Sequence, residues 1–154
     1  LSFIAVNTFL LAEDDEQRLA ILATMREHLA EGGIAAVELS TPDAEELARY
    51  DGRLQHEWIR VDPVTGDEVT KHISARWEQA LGTVDLTQIY EWTPAHGGTL
   101  SRVAKVDTLH LVTAEQLSNL ATRAGFGKVD LRGDHLASAY GARSHRLILL
   151  ARLV

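Results

Sequence analysis

The sequence predicts an α/β fold: a partial sheet opened by a strand–helix–strand unit, interrupted by an inserted antiparallel β-meander, and finished by a closing antiparallel strand pair. Three observations predict it. Apolar runs at both ends, Leu1 to Leu11 and Leu147 to Val154, have the texture of buried strands. Helical spacing behind a capping residue occurs after Asp14 and again after Thr113. Between them, short stretches rich in Val, Thr, Ile, Trp and Tyr alternate with polar residues, as in strands with one wet face.

The first run, Leu1 to Leu11, has no charge before Glu13 and reads as a strand buried on both faces. Domains rarely open on their most buried strand, because termini lie at the surface, so the chain is expected to be the downstream part of a larger fold. Asp14 caps the next helix and Gln17 completes a capping-box pattern, with Leu19, Leu22, Met25 and Leu29 on one face. Gly32-Gly33 is expected to stop that helix in the left-handed conformation. Ile34 to Leu39 reads as a second buried strand, completing a βαβ unit of the usual right-handed sense. Thr41-Pro42 is expected to open a short helix with proline at its first position, where the missing N–H is harmless, and Tyr50-Asp51-Gly52 to end it.

The meander texture runs from Leu54 to Val112, with turns at Thr65-Gly66-Asp67 and His96-Gly97-Gly98. Thr113 and Gln116 form a second capping-box pattern, followed by Leu117, Leu120 and Ala124. Gly125 stops this helix, and Phe126 packs back onto its last turn. Val129 to Arg132 alternates like a strand, and Leu147 to Val154 is the last apolar run. One partial domain follows: a core βαβ with a short helix (1–52), the inserted meander (53–112), and a core helix with two closing strands (113–154).

At 154 residues the chain suits one domain, able to bury roughly 70% of its unfolded surface. A net charge of −7 with scattered basic residues argues against a nucleic-acid groove or an anionic membrane surface as the main partner. Zero cysteine removes disulfides, thiolate metal sites and cysteine nucleophiles, and fits the cytoplasm. The opening run lacks the basic flank and cleavage site of a signal peptide, and is about half the length of a membrane helix.

Few motifs carry chemistry by themselves. The acidic run Glu13 to Glu16 sits where a helix N-terminus welcomes negative charge and reads as a solvated helix start. The 7 histidines include no HExxH motif, and a zinc site from His56, His72 and His110 would need chance convergence. No metal site is expected. There is no G-x-S-x-G elbow. Gly32-Gly33 lies between helix and strand, the reverse of the order a nucleotide loop requires. Trp58, Trp77, Trp92 and Tyr90 leave two readings open, packing of the meander or an aromatic substrate wall. In open parallel sheets ligands bind beyond the carboxyl ends of strands, which points to Asn7, Thr8 and Phe9, with Ser40-Thr41 on the same rim. Asn and Thr at such places also serve to satisfy backbone groups.

In order, these pieces resemble the C-terminal half of a class I, Rossmann-like S-adenosylmethionine-dependent methyltransferase of the small-molecule type. Phe3 to Leu11 followed by the acidic run Glu13 to Glu16 resembles the family's fourth strand and its exit. Leu29 to Gly33 is similar to Leu-x-Pro-Gly-Gly before strand five, with Glu31 where proline is usual. Thr113 to Leu117 through Ala124-Gly125-Phe126 resembles the helix that ends in Ala-Gly-Phe before strand six. Val129 to Asp134 and Ser144 to Leu153 resemble the closing antiparallel pair.

The resemblance implies S-adenosylmethionine as cofactor, a small-molecule acceptor, and a meander that covers the substrate pocket. It implies Asn7, Thr8 and Phe9 near the methionine part and the methyl group. It also implies Tyr90 and Tyr140 as substrate contacts and His110 and His135 as substrate-side catalytic candidates, either of which could serve as base, His110 standing where arginine is common. The family's glycine-rich loop and its ribose-holding acidic residue have no counterpart here, so this chain is expected neither to bind the cofactor tightly nor to act alone. The Leu1–Leu11 edge would lie beside the missing strand, and is expected to pair with a second copy or with a separate N-terminal half. Two other readings predict different upstream sequence. A stand-alone binding or dimerisation module would have no glycine-rich turn there, and a Rossmann-like oxidoreductase would have a dinucleotide fingerprint.

Overall fold

The computed structural model describes residues 1–153; Val154, the end of the predicted closing run, lies outside them. In chain order the elements are β1 (Ser2–Ile4), a 3₁₀ turn (Thr8–Leu11), α1 (Asp15–Glu27), β2 (Ile34–Ser40), α2 (Ala44–Ala48), β3 (Gln55–Val61), β4 (Glu68–Glu78), β5 (Thr83–Thr93), β6 (Ser101–His110), α3 (Ala114–Arg123), β7 (Lys128–Arg132) and β8 (Arg146–Arg152). They divide into two compact units, one made of Leu1–Glu46 with the chain from Leu109 onward, the other of Leu47–Thr108.

The first unit holds a sheet in the order β1-β2-β8-β7. β1 lies parallel to β2, with Ser2 opposite Ala35 and Ile4 opposite Val37. β8 runs antiparallel to both β2 and β7, so the βαβ unit and the closing antiparallel pair form as the sequence predicts. Register sorts the side chains: Ala35, Val37 and Leu39 stand opposite Ala151, Leu149 and Leu147, and all six are buried. Leu22 and Met25 of α1, Leu117, Leu120 and Ala121 of α3, and Phe126 join them in one core. Ile34, Ala36 and Glu38, on the other face of β2, are only half-buried, so this strand is closed on one face rather than two.

The opening run departs most from expectation. It is a strand only over Ser2–Ile4, and Phe3 is 68% exposed rather than buried. Val6 and Asn7 then take left-handed backbone (φ 58° and 63°), which ends the strand. The Thr8 N–H and hydroxyl both donate to the Ala5 carbonyl, at 3.2 and 2.9 Å, and the following 3₁₀ turn drops Phe9 and Leu10 into the core. An apolar run satisfies a strand or a buried turn equally well, and here backbone conformation decides between them.

Three local expectations shift by a residue or more. Asp14 does cap α1 through the Gln17 N–H, but the Gln17 side chain accepts from Glu13 rather than closing the box on Asp14. The helix ends at Glu27 with His28 as C-cap, so Gly32 (φ 71°) belongs to the turn into β2 and is not the helix stop. α2 begins at Ala44 because Asp43 accepts the Glu46 N–H, leaving Pro42 ahead of the helix. At α3, by contrast, Thr113 and Gln116 form the full reciprocal box. The helix closes with Gly125 (φ 91°): its N–H reaches Thr122 and that of Phe126 reaches Ala121, the paired bonds of a Schellman end.

The second unit is the predicted meander, a four-stranded sheet in the order β3-β4-β5-β6. β4 and β5 pair over their full lengths, from Glu68 opposite Thr93 to Glu78 opposite Thr83. β3 carries a bulge between His56 and Trp58, which interrupts this edge of the sheet.

Candidate functional site

The carboxyl ends of β1 and β2 and the β7–β8 loop form a connected rim in the first unit. The left-handed turn at Asn7 directs its side chain onto Ser40: Oδ1 accepts the Ser40 N–H at 2.6 Å and Nδ2 donates to the Ser40 hydroxyl at 3.2 Å. One residue further, Thr41 donates its N–H to the His145 carbonyl (3.0 Å) and its hydroxyl to the Ser144 carbonyl (2.9 Å). Asn7 therefore uses its amide as a clamp between strand ends, with both functional atoms engaged. Thr8 is exposed and its hydroxyl proton is committed to Ala5, which leaves oxygen lone pairs for an incoming group. Phe9 is fully buried and offers a ligand no surface; it underpins the turn that carries Asn7 and Thr8.

His110, at the end of β6, is half-buried. Its carbonyl accepts from Arg18 Nη2 at 3.3 Å, and the same nitrogen donates to the Ala12 carbonyl at 3.1 Å.

His135 lies on the exposed β7–β8 loop, with Nε2 3.5 Å from Glu38 Oε2 and 3.4 Å from Arg146 Nη1, while Glu38 and Arg146 themselves form an ion pair. Nε2 thus faces an acceptor and a donor together. Protonated it can give to Glu38; unprotonated it can take from Arg146. Asp134 holds the loop, accepting from the Leu136 N–H (2.8 Å) and the Ser138 N–H (3.0 Å). Hydrogen bonds from Ser138 set its carboxyl below the usual range. Tyr140 is half-buried against the first unit's core, its N–H donating to Leu131.

In the meander, Tyr90 lies between two tryptophans, edge-on to Trp58 at 6.3 Å and stacked on Trp92 at 6.1 Å. Its hydroxyl donates to Gln88 (3.0 Å), and Lys71 Nζ sits 5.6 Å from its ring centroid while paired with Glu57 at 2.8 Å. Desolvation draws the Lys71 ammonium down, but Glu57 and Tyr90 together lift it above its ordinary value. His56 and His72 meet edge-on at 5.6 Å across β3 and β4, and His72 faces Glu91 at 3.4 Å. Among the described residues no group of three or more His, Asp or Glu is arranged to hold a metal ion, and no helix is long and apolar enough to cross a membrane. In the acidic run, Asp14 caps α1 and Asp15 pairs with Arg18 at 3.1 Å.

Structure thus brings together Asn7, Thr8, Ser40 and Thr41 at one rim. Sequence reasoning missed Arg18, Glu38, Ser144 and Arg146. The contacts that tie them to the rim and to His110 come from residues distant in sequence, and no local spacing signals those contacts.

The chain matches no family model and no curated protein. Solved structures do match. The CcbJ methyltransferase from Streptomyces caelestis superposes at TM-score 0.68 and 17% identity, covering 99% of this chain and 59% of that one. A S-adenosylmethionine-dependent methyltransferase from Clostridium acetobutylicum gives TM-score 0.70 at 12% identity, covering 98% and 56%. CalS10, an amino pentose methyltransferase from Micromonospora echinaspora solved with SAM bound, gives 0.64 at 17%, covering 97% and 57%. The chain therefore has a partial class I methyltransferase fold, and it spans under three-fifths of the length of these structures.

Proposed function

We propose that this chain is part of a S-adenosylmethionine-dependent methyltransferase acting on a small molecule, and that it is not active alone. The observation that carries the reading is that nearly the whole chain, meander included, follows methyltransferase structures. An amino pentose enzyme among them supports a small-molecule acceptor.

The rim fits one side of such a cofactor. Thr8 presents hydroxyl lone pairs suited to a cationic group, and the acidic start of α1 adds negative charge nearby in sequence. Asn7 contributes by fixing the β1 and β2 ends, and Phe9 by supporting the turn. When bound, the cofactor supplies an electrophilic methyl on a sulfonium. The protein's part in such an in-line displacement is position, a dry surface and a proton acceptor for a protonated acceptor group. His110 and His135 are the proposed bases. His135 has the better-defined surroundings, its Nε2 lying 3.5 Å from Glu38 Oε2 and 3.4 Å from Arg146 Nη1. Tyr140 on the first unit and Tyr90 on the meander's aromatic face are the proposed substrate contacts.

Among the described residues β1 has β2 as its one strand neighbour, and Leu1, Phe3 and Val6 are exposed around it. A second copy or an N-terminal half is proposed to pair there, in the cytoplasm, as a free edge invites. The alternative is a non-catalytic binding or dimerisation module, favoured by the exposed hydrophobic residues Ile59, Val61, Val103 and Val106 on the two edge strands of the meander.

Calorimetry with S-adenosylmethionine, run on this chain and on the longest product of its gene, tests the proposal. Binding by the longer product only is expected. No binding by either would leave the module, and would withdraw the roles given to Thr8, His110 and His135.

A further inference from the structure

A buried guanidinium needs a reason, because removing a charge from water costs several kcal/mol unless its partners are well placed. Arg18 is 9% exposed, and its Nε has no hydrogen-bond partner among the described residues. Both terminal nitrogens are engaged. Nη1 donates to Asp15 at 3.1 Å, and the two N–H groups of Nη2 go to the carbonyls of Ala12 (3.1 Å) and His110 (3.3 Å). Ala12 ends the segment that leaves the β1 rim, and His110 lies 92 residues from Arg18 in sequence. Asp15 also faces Arg123, in the last turn of α3, at 3.8 Å. One planar fork therefore ties together a turn, a strand end and, through Asp15, a second helix. Lysine, a point charge on a flexible stem, could not hold all three acceptors in one plane.

We propose that Arg18 is a positioning residue of the methyl-transfer site. It fixes the backbone of His110 against the Asn7–Ala12 turn, so that the proton acceptor and the cofactor-side rim keep one spacing. This rests on the methyltransferase reading given above. Arg18 touches neither substrate nor cofactor. Its effect runs through two carbonyl groups.

The test uses Arg18→Met and Arg18→Lys in the longest product of the gene, with two readouts. The first is the carbonyl ¹³C shift of Ala12 and of His110, which reports each hydrogen bond directly and needs no ligand. Both shifts are expected to move together in Arg18→Met and to move partway in Arg18→Lys. The second is methyl transfer. The turnover rate is expected to fall roughly 10- to 100-fold in Arg18→Met, since small misplacements of reacting groups have costs of that order. The KM for S-adenosylmethionine should stay within about twofold, as uniform binding is untouched. The pH profile of turnover should shift, and Arg18→Lys should recover part of the loss. If Arg18→Met does not fold, Arg18→Lys alone carries both readouts. A carbonyl shift at Ala12 without one at His110 would overturn the bridge. Both shifts with unchanged turnover and pH profile would overturn the positioning role. A wild-type protein that transfers no methyl, yet shows both shifts on substitution, would sink the methyltransferase reading, and the positioning role with it, while leaving the bridge itself demonstrated.

Discussion

Asn7 and Ser40 exchange two hydrogen bonds across the carboxyl ends of the parallel strands β1 and β2, 33 residues apart in sequence. The contact requires the left-handed backbone at Asn7, a conformation that Asn tolerates better than most residues. It makes the rim a defined edge in place of two loose strand ends.

Asn7→Ala removes both bonds and leaves a Cβ residue in left-handed backbone. It should cost about 2–4 kcal/mol, from roughly 1 kcal/mol for each of the two net hydrogen bonds and a conformational penalty of up to about 2 kcal/mol. Asn7→Asp keeps the acceptor for the Ser40 N–H and should cost less. Urea unfolding of both variants measures the difference; equal losses would mean that the bond to Ser40 contributes little.

The end of α3 offers a second check. Gly125 at φ 91° closes the helix, and a Cβ there would meet Arg26 Nε at 3.1 Å. Gly125→Ala is expected to destabilise the protein by about 1–2 kcal/mol, the usual cost of left-handed backbone for a residue with a side chain. A thermal midpoint unchanged from wild type would show that Phe126 holds the turn without the glycine.

Helix α3 was legible because its signals are local: Thr113 and Gln116 at capping spacing, Gly125 past the last turn, Phe126 to fold back. The opening run was not. Val6 is a β-branched residue that sequence reasoning assigns to strands, yet it turns left-handed. The carboxyl rim could be placed from topology, since the βαβ order sets where β1 and β2 end. What Asn7 does there depends on the parallel register, which no residue spacing reveals. Arg18 reads as one more charged residue on a helix until His110 is brought beside it. The meander's alternation predicted its strands, whereas the bulge at His56 and Trp58 left no sequence mark.

Core packing gives a plain test of the first unit. Leu117 is fully buried among the side chains of the sheet and α1, so Leu117→Ala should cost about 2–5 kcal/mol. Val64, 90% exposed in the turn after β3, should tolerate alanine within about 0.5 kcal/mol. Similar losses at the two sites in denaturant unfolding would contradict this placement of the core.

The β7–β8 loop should be acid-sensitive. Hydrogen bonds from Ser138, then Leu136, lower the Asp134 carboxyl in the folded protein, so the folded value lies beneath the unfolded one. The stabilisation is therefore complete above the ordinary carboxylate value of about 4, and is lost as pH falls through the depressed folded value. Amide resonances of Leu136 and Ser138 followed from neutral to acid pH should hold steady and then move below that value. Asp134→Asn should abolish the step; its persistence would assign the step to another group.

The proposed function is tested most directly by titrating the longest product of the gene with S-adenosylmethionine and mapping amide shifts residue by residue. The predicted result is a cluster at residues 6–12 and at Ser40-Thr41, the rim formed by the β1 and β2 ends. Saturable binding that leaves those amides unmoved would contradict the rim as the cofactor side of the site.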